Sequence, residues 1–534
     1  MIDKGKKEKG KRKTWQWFII AGLAVLTCFF LVRLFNLTIL PIFADEAIYI
    51  RWSQVMRAEP TLRFLPLSDG KQPLFMWMTI PFLKVFSDPL VAGRMLSVLA
   101  GLGSLIGLWF LSKELFKNKW VSLAVVFSYS LTPFFVFFDR QALADSLLAM
   151  FFIWLAYFGL LLVRTFRLDL ALISGMVLGL ALITKSPAIF IALLMPVGLL
   201  MGKGLELKKN FWRIIGLGAV IYSLGFGIYN FLLRLGPNFQ MIAIRNKDYL
   251  FTFKEILSHP LDPFKPHLGD LANWLPNLLT WPILLLVIIG VIIALKEKTK
   301  ESIFLLAWFI VPILAQSFFA KVFTPRYILF TLWPLIIFAG FAFNWLFNQF
   351  SYLKKRLNNN LRLGIIVVFV FLVFSPSIKY NWLLLTSPER APLPYNLRSG
   401  HLEEWTAGQG IKESALFLQE QAKNQNILVG TEGYFGTLPD GLQLYLEGNS
   451  KNIRVIGVGW PVSKVHQSLI NSLVDNEVYL LVNKSRLNLL PEANGLKLIK
   501  EYPKAVWPDG HRDKLLLFQL DKNYWESQPK ENLK

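Results

Sequence analysis

Residues 142–163 read ALADSLLAMFFIWLAYFGLLLV. As an α-helix this stretch would extend about 33 Å, enough to cross a hydrocarbon core of about 30 Å. Its single charged residue is Asp145, near the N-terminal end. A carboxylate at membrane depth needs a partner or water. Working outward, ten further apolar stretches lie near 15–37, 91–112, 119–138, 168–184, 188–202, 211–233, 274–295, 302–320, 327–348 and 363–385. The expectation is a mostly α, polytopic membrane protein with about 11 transmembrane helices.

Composition agrees. The 534 residues are 54% hydrophobic and only 17% charged, against about 25% charge in a soluble domain. That excludes a soluble multidomain enzyme, and disorder for the bulk of the chain. The single cysteine, Cys28, excludes an intramolecular disulfide and a cysteine metal cluster. The net charge of +22 fits basic cytoplasmic loops and does not require nucleic acid.

Two stretches decide the topology. Residues 73–86, PLFMWMTIPFLKVF, would reach only about 21 Å and carry Pro81 and Lys84, so they read as a helix in the interface. Residues 168–202 are interrupted by Thr184-Lys185-Ser186-Pro187, which reads as the tip of a hairpin. With a cytoplasmic N-terminus, the basic segments 113–120, 164–167, 202–213, 296–301 and 354–356 then all fall inside. The start, 1–14, is a basic cytoplasmic tail and not a cleavable signal. The transmembrane domain runs over 15–387, with a first outer loop at 38–90.

After 387 the composition turns mixed and polar. Strand-like runs at 426–430, 453–459, 477–483 and 513–520 alternate with helical patterns at 411–424 and 463–474. They predict an extracytoplasmic α/β domain over 388–534. Gly430, Gly433 and Gly436 lack a dinucleotide fingerprint and read as a turn.

This topology gathers unusual polar residues on the outer face: Asp45, Glu46, Tyr49, Arg51, Lys71, Asp139, Arg140, Asp145, Lys185, Arg326 and Tyr327. The loop 234–273 adds Arg245, His259 and His267, and the two histidines have no metal-ligand spacing. Carboxylates with cations suit displacement at a sugar carbon. A carboxylate deprotonates the incoming hydroxyl, and cations neutralise a leaving phosphate. Ion-coupled transport would use similar groups. A transporter or lipid flippase is therefore the alternative, and a non-catalytic envelope scaffold a second.

The order PIFADEAIYIRW (41–52), GKQPLF (70–75), FFDRQALADSLLAMFF (137–152), LITKSP (182–187) and PRYIL (325–329) resembles the C-type superfamily of membrane glycosyltransferases. It is most similar to bacterial relatives of protein O-mannosyltransferases and of the lipid A aminoarabinose transferase. The resemblance implies a glycosyltransferase (hexosyl- or pentosyltransferase) of the cell membrane. Such an enzyme takes a polyprenyl-phosphate sugar donor and a protein, glycan or lipid acceptor, with inversion and no nucleic acid. It implies Asp45 as base, with Glu46 beside it and Asp145 as a second acidic group. Lys71, with Arg140 and Arg326, would hold the donor phosphate, and Tyr49, Lys185 and Tyr327 would support. Ile48 and Gln72 depart from the family's arginine and proline, and LITKSP from its Thr-Lys-Gly. Gly70 stands where the aminoarabinose transferase has a metal-binding Glu. No cofactor is required, although the chemistry admits a divalent cation.

Each residue also has a bland reading. Asp45 could cap a helix or meet Arg51, and Glu46 could be an exposed carboxylate. Lys71 could snorkel to headgroups, Lys185 could be a tip charge, and Arg326 a flanking charge. Arg140 and Asp145, five apart, are a poor intrahelical pair, which leaves Lys185 or water as partner for Asp145.

Overall fold

The computed structural model describes residues 2–352, 359–448 and 451–528. Among these, six helices are long and apolar enough to cross a membrane, or nine if each of three bent pairs is one span. The protein is a multi-pass membrane protein. All the apolar stretches fall on helix. Those near 168–184 and 188–202 form shorter helices, Leu168–Leu182 and Ser186–Met201, on either side of the expected turn at Lys185. The basic segment 354–356 lies outside the described residues.

The first part of the chain runs α1 (Ile2–Leu34), α2 (Ala44–Ala58), α3 (Leu74–Val85), α4 (Pro89–Phe116), α5 (Lys119–Leu131), α6 (Pro133–Asp139), α7 (Ala144–Thr165) and α8 (Leu168–Leu182). The basic stretch 1–14 continues α1 back to Ile2. α3 has 12 residues, too few to span.

The bends correct three straight readings. The stretch 119–138 turns by 61° between α5 and α6. The stretch 274–295 is divided between Phe264–Leu279 and Trp281–Glu297, which meet at 107° about Thr280 (φ 71°). The stretch 327–348 turns by 59° before Trp333. Pro133, Pro282 and Pro334 stand in the first turn after each break. A proline there loses no intrahelical bond, whereas a continuous helix would drive its ring into the carbonyl four residues back.

The chain forms two compact units. The first comprises 1–37, 64–75 and 95–394 and holds the long helices. The second comprises 38–63, 76–94 and 395–534, so most of the loop 38–90 packs with the C-terminal α/β sequence.

The sheet of the second unit has β1 (Ile427–Thr431), β2 (Ile453–Gly457), β3 (Glu477–Asn483), β4 (Leu496–Pro503) and β5 (Lys514–Leu520), in the order β2-β1-β3-β5-β4. β1 pairs in parallel with β2 and β3, with Ile427 opposite Ile453 and Glu477, and β5 runs antiparallel to β3 and β4. β1 is buried along its whole length, as a central parallel strand should be. The core packs Leu428, Val478, Leu480, Val482, Leu516 and Phe518 against Leu469. β4 was not expected. It is an edge strand of mostly exposed residues, including Lys497, Lys500 and Glu501, so burial left little trace on its pattern. Of the three glycines read as a turn, Gly430 lies within β1, while Gly433 and Gly436 follow it at positive φ.

Candidate functional site

In the first unit, Asp145 sits in the first turn of α7, where the helix dipole favours a carboxylate. Lys185 is extended (φ −164°, ψ 143°) in the turn after α8. Lys185 is the residue before the short 3₁₀ turn Ser186–Ala188, and Pro187 in that first turn loses no intrahelical bond. The Lys185 Nζ lies 2.5 Å from Asp145 Oδ1, and their side chains are 21% and 4% exposed. Nζ also stands 4.7 Å from the centre of the Tyr327 ring, and the Arg326 guanidinium stands 5.1 Å from that ring. One tyrosine thus carries two cations, each gaining from the negative face of its π-system.

The segment bearing Lys71 docks against the same turn. Gln72 Nε2 donates to Ser186 Oγ at 2.8 Å, and the Leu74 amide to the Ile183 carbonyl at 3.1 Å. Lys71 Nζ is 3.3 Å from Asp69, which also pairs with Arg245 at 2.8 Å. Lys71 and Arg245 thus share Asp69, Arg245 also pairs with Asp248 at 2.8 Å, and Lys185 pairs with Asp145. Gly70 is left-handed (φ 67°), and a Cβ there would come within 2.7 Å of the Met241 carbonyl and 2.8 Å of Arg245 Cβ. A metal-binding Glu does not fit this position. Among the described residues no three His, Cys, Asp or Glu side chains converge on a common point. His267 lies in a helix and not in a loop, buried against the Ser317 carbonyl at 2.9 Å, while His259 is exposed beside Asp262.

Arg140 is placed differently from a phosphate-facing group. It is 1% exposed, and its guanidinium donates to the carbonyls of Val32, Arg33, Phe35 and Asn36 at 2.7–3.2 Å. Val32 and Arg33 are in the last turn of α1, whose carbonyls lack intrahelical donors, and Phe35 and Asn36 directly follow it, so a cation is favoured there. Next to it, Asp139 receives Arg33 Nε at 2.9 Å, the Tyr129 hydroxyl at 3.0 Å and Ser146 Oγ at 2.8 Å. Gly101 faces this carboxylate; a Cβ there would come within 2.6 Å of it.

In the second unit, Phe43 caps α2, and Glu46 at its third position accepts the Phe43 amide at 3.0 Å. Glu46 also takes both arms of Arg94, at 2.8 and 2.7 Å, with both side chains fully buried. Arg94 completes its fork on the Leu40 and Pro41 carbonyls. Asp45, about 100° round the helix, is half-buried. Tyr49 is buried, 6.3 Å ring to ring from Trp52. Arg51 donates to Gln443 and Gln54. α2 is fastened to the C-terminal sequence by Ala44 N to Thr406 O (3.0 Å), Gln54 to Leu444 O (2.9 Å) and the Arg57–Glu447 pair (2.7 Å).

The expected residues therefore fall into two sets. Lys71, Asp145, Lys185, Arg326 and Tyr327 belong together in the first unit, while Asp45, Glu46 and Tyr49 share α2 in the second. The sequence reading passed over Arg33 and Arg94 and gave Asp139 no role. A charge next to or inside an apolar run was the available signal, because it demands a buried partner.

The arrangement as a whole has solved relatives. The apo crystal structure of ArnT from Cupriavidus metallidurans superposes with a TM-score of 0.55 at 15% identity, covering 96% of this chain and 99% of that one. The same protein bound to undecaprenyl phosphate gives 0.56 at 15% identity, with 94% and 98% covered. The fold is that of the C-type membrane glycosyltransferases. The apo oligosaccharyltransferase of Archaeoglobus fulgidus shares the C-type fold at a TM-score of 0.52 and 11% identity, covering 93% of this chain and 74% of that one. The family profile of dolichyl-phosphate-mannose-protein mannosyltransferases matches residues 70–227, the stretch that holds Lys71, Asp145 and Lys185. No curated protein matches the sequence.

Proposed function

We propose that this chain moves a sugar from a polyprenyl-phosphate-linked donor to an acceptor hydroxyl, with inversion, on the extracytoplasmic side of the cell membrane. The observation that carries this reading is the Asp145–Lys185–Tyr327–Arg326 cluster, joined through Gln72 and Ser186 to the segment of Lys71. Lysine and arginine side chains gathered in a chain of membrane-spanning helices suit a lipid phosphate that gains charge as it leaves. The ArnT structure with undecaprenyl phosphate supports a carrier of that class.

In the proposed reaction Asp45 takes the proton of the acceptor hydroxyl. The freed oxygen attacks the anomeric carbon, and the bond from that carbon to the phosphate oxygen breaks. The electron pair leaves on the lipid phosphate, where Lys71 and Arg326 neutralise it. Asp145, held by Lys185, stabilises positive charge on the sugar ring. Glu46 and Arg140 act as positioning residues, Glu46 by locking α2 through Arg94 and Arg140 by closing the end of α1. No step is assigned to a metal ion.

The test is consumption of labelled polyprenyl-phosphate hexoses and pentoses by the purified chain in lipid. Asp45→Asn is expected to slow transfer by about 10²–10⁴-fold, the usual worth of a general base. Full activity in that variant would remove Asp45 from the role. Donors carried across vesicles unchanged would identify a flippase instead.

A further inference from the structure

In the second unit, β1 is followed by β2 on one side and, later, by β3 on the other, all three in parallel. The carboxyl ends of β1 and β3 therefore border a topological switch point, where open α/β sheets form their binding crevices. The residues gathered there are unusual. Glu432, directly after β1, is 1% exposed and bridges to the end of β3, accepting from the Asn483 amide at 2.6 Å and from Asn483 Nδ2 at 2.7 Å. Arg486, three residues after β3, lies 3.7 Å from Glu432, with 13% of its side chain exposed. Its guanidinium sits between two indoles, 3.4 Å from the Trp405 ring centre and 4.8 Å from that of Trp460. Its buried Nε has no hydrogen-bond acceptor among the described residues.

Around this arginine, ring faces are open to solvent: Trp460 is 62%, Tyr434 73% and Phe435 43% exposed. The loops that carry them are joined by the Gly433 amide donating to the Gly459 carbonyl at 2.8 Å. Phe435 in turn meets Trp52 of α2 at 5.6 Å, and Trp52 meets Tyr49, one turn from Asp45 on the same helix. A line of aromatic contacts thus runs from the switch point to the helix of the candidate base.

We infer that this crevice binds a saccharide ring of the acceptor; only the word acceptor rests on the transferase reading above. The C–H face of a pyranose packs on an indole or phenol ring, while its hydroxyls or a ring carboxylate accept from a guanidinium held in the same plane. The fork of Arg486 offers those donors, and stacking on Trp405 fixes their direction. An extended peptide would instead seek main-chain pairing along a free sheet edge. The free edges here are β2 and β4, not the strand ends.

The test is saturation-transfer NMR on the full chain in lipid nanodiscs, with mannotriose, trigalacturonate and a serine-containing pentapeptide as probes. At least one saccharide is expected to bind, and Trp460→Ala and Arg486→Gln are each expected to weaken it about tenfold or more. Trp460 is largely exposed, so its variant reads binding without unfolding the unit; an unchanged melting temperature verifies this. Binding of neither saccharide, equal binding in the Trp460→Ala variant, or binding of the peptide alone would overturn the assignment. Donor consumption by the same preparation separates the two ideas. Saccharide binding without consumption supports the crevice while removing the transferase reading, and consumption without binding does the reverse.

Discussion

Replacing Glu46 by Ala distinguishes a carboxylate that reacts from one that holds the structure. Glu46 accepts two bonds from Arg94 at 2.8 and 2.7 Å and one from the Phe43 amide at 3.0 Å, with both charged side chains fully buried. Removing it strands the Arg94 guanidinium without its counter-charge. Breaking a buried pair from one side costs about 3–5 kcal/mol. In a unit of this size that corresponds to a fall in Tm of about 10 °C. Glu46→Leu with Arg94→Met removes both charges and is expected to recover about half of the loss. It does not recover all, because the Leu40 and Pro41 carbonyls lose their donor. The assay is thermal unfolding of the detergent-solubilised variants, followed through the near-UV signal, beside their rate of donor consumption. A Glu46→Ala chain that melts like the parent yet has lost all transfer would refute the reasoning and return Glu46 to the reaction.

Arg140→Gln should lower Tm by several degrees, since four carbonyls at the end of α1 lose their cation, while leaving the donor KM within about twofold; a large rise in donor KM at unchanged Tm would make it a phosphate contact. Gly70→Ala places a Cβ against Met241 and Arg245 at positive φ, so a loss of about 1–3 kcal/mol is expected in chemical unfolding. Lys504, buried beside Asp513 and the Glu404 carbonyl, is pulled down to about 8 by loss of hydration. Between pH 8 and about 10.4, its ordinary value, the unfolded chain holds this proton and the folded chain does not. Stability from this group should therefore rise with pH across that window, and Lys504→Met should flatten the rise in a series of melts.

Much of the helical layout was legible because a bilayer imposes a length and a polarity on every segment that crosses it, so 142–163 and its counterparts announced themselves. The three bends were legible in principle from Pro133, Pro282 and Pro334, but hydropathy averages over a proline and does not register it. That Asp145 needs a partner was legible because one charge at depth calls for another, and of Lys185 and water the structure supplies Lys185. The partners of Glu46 and Arg140 were not anticipated. Arg94 is 48 residues from Glu46, and the carbonyls that Arg140 closes lie at and just after the end of α1, more than a hundred residues earlier. Local spacing holds no record of such separations.

What the sequence determined alone is the solvent of each segment: which stretches live in lipid, which form the central strands of a buried sheet, and which charges need company. That follows from transfer energies that each residue carries with it. What tertiary structure decided is the company itself. It sent Glu46 to Arg94 and left its neighbour Asp45 half-buried, gave Arg140 to a helix end, and set Arg486 between two tryptophans at the switch point of the sheet. A pairing of buried charges depends on which elements fold against each other, and it is settled only when they do.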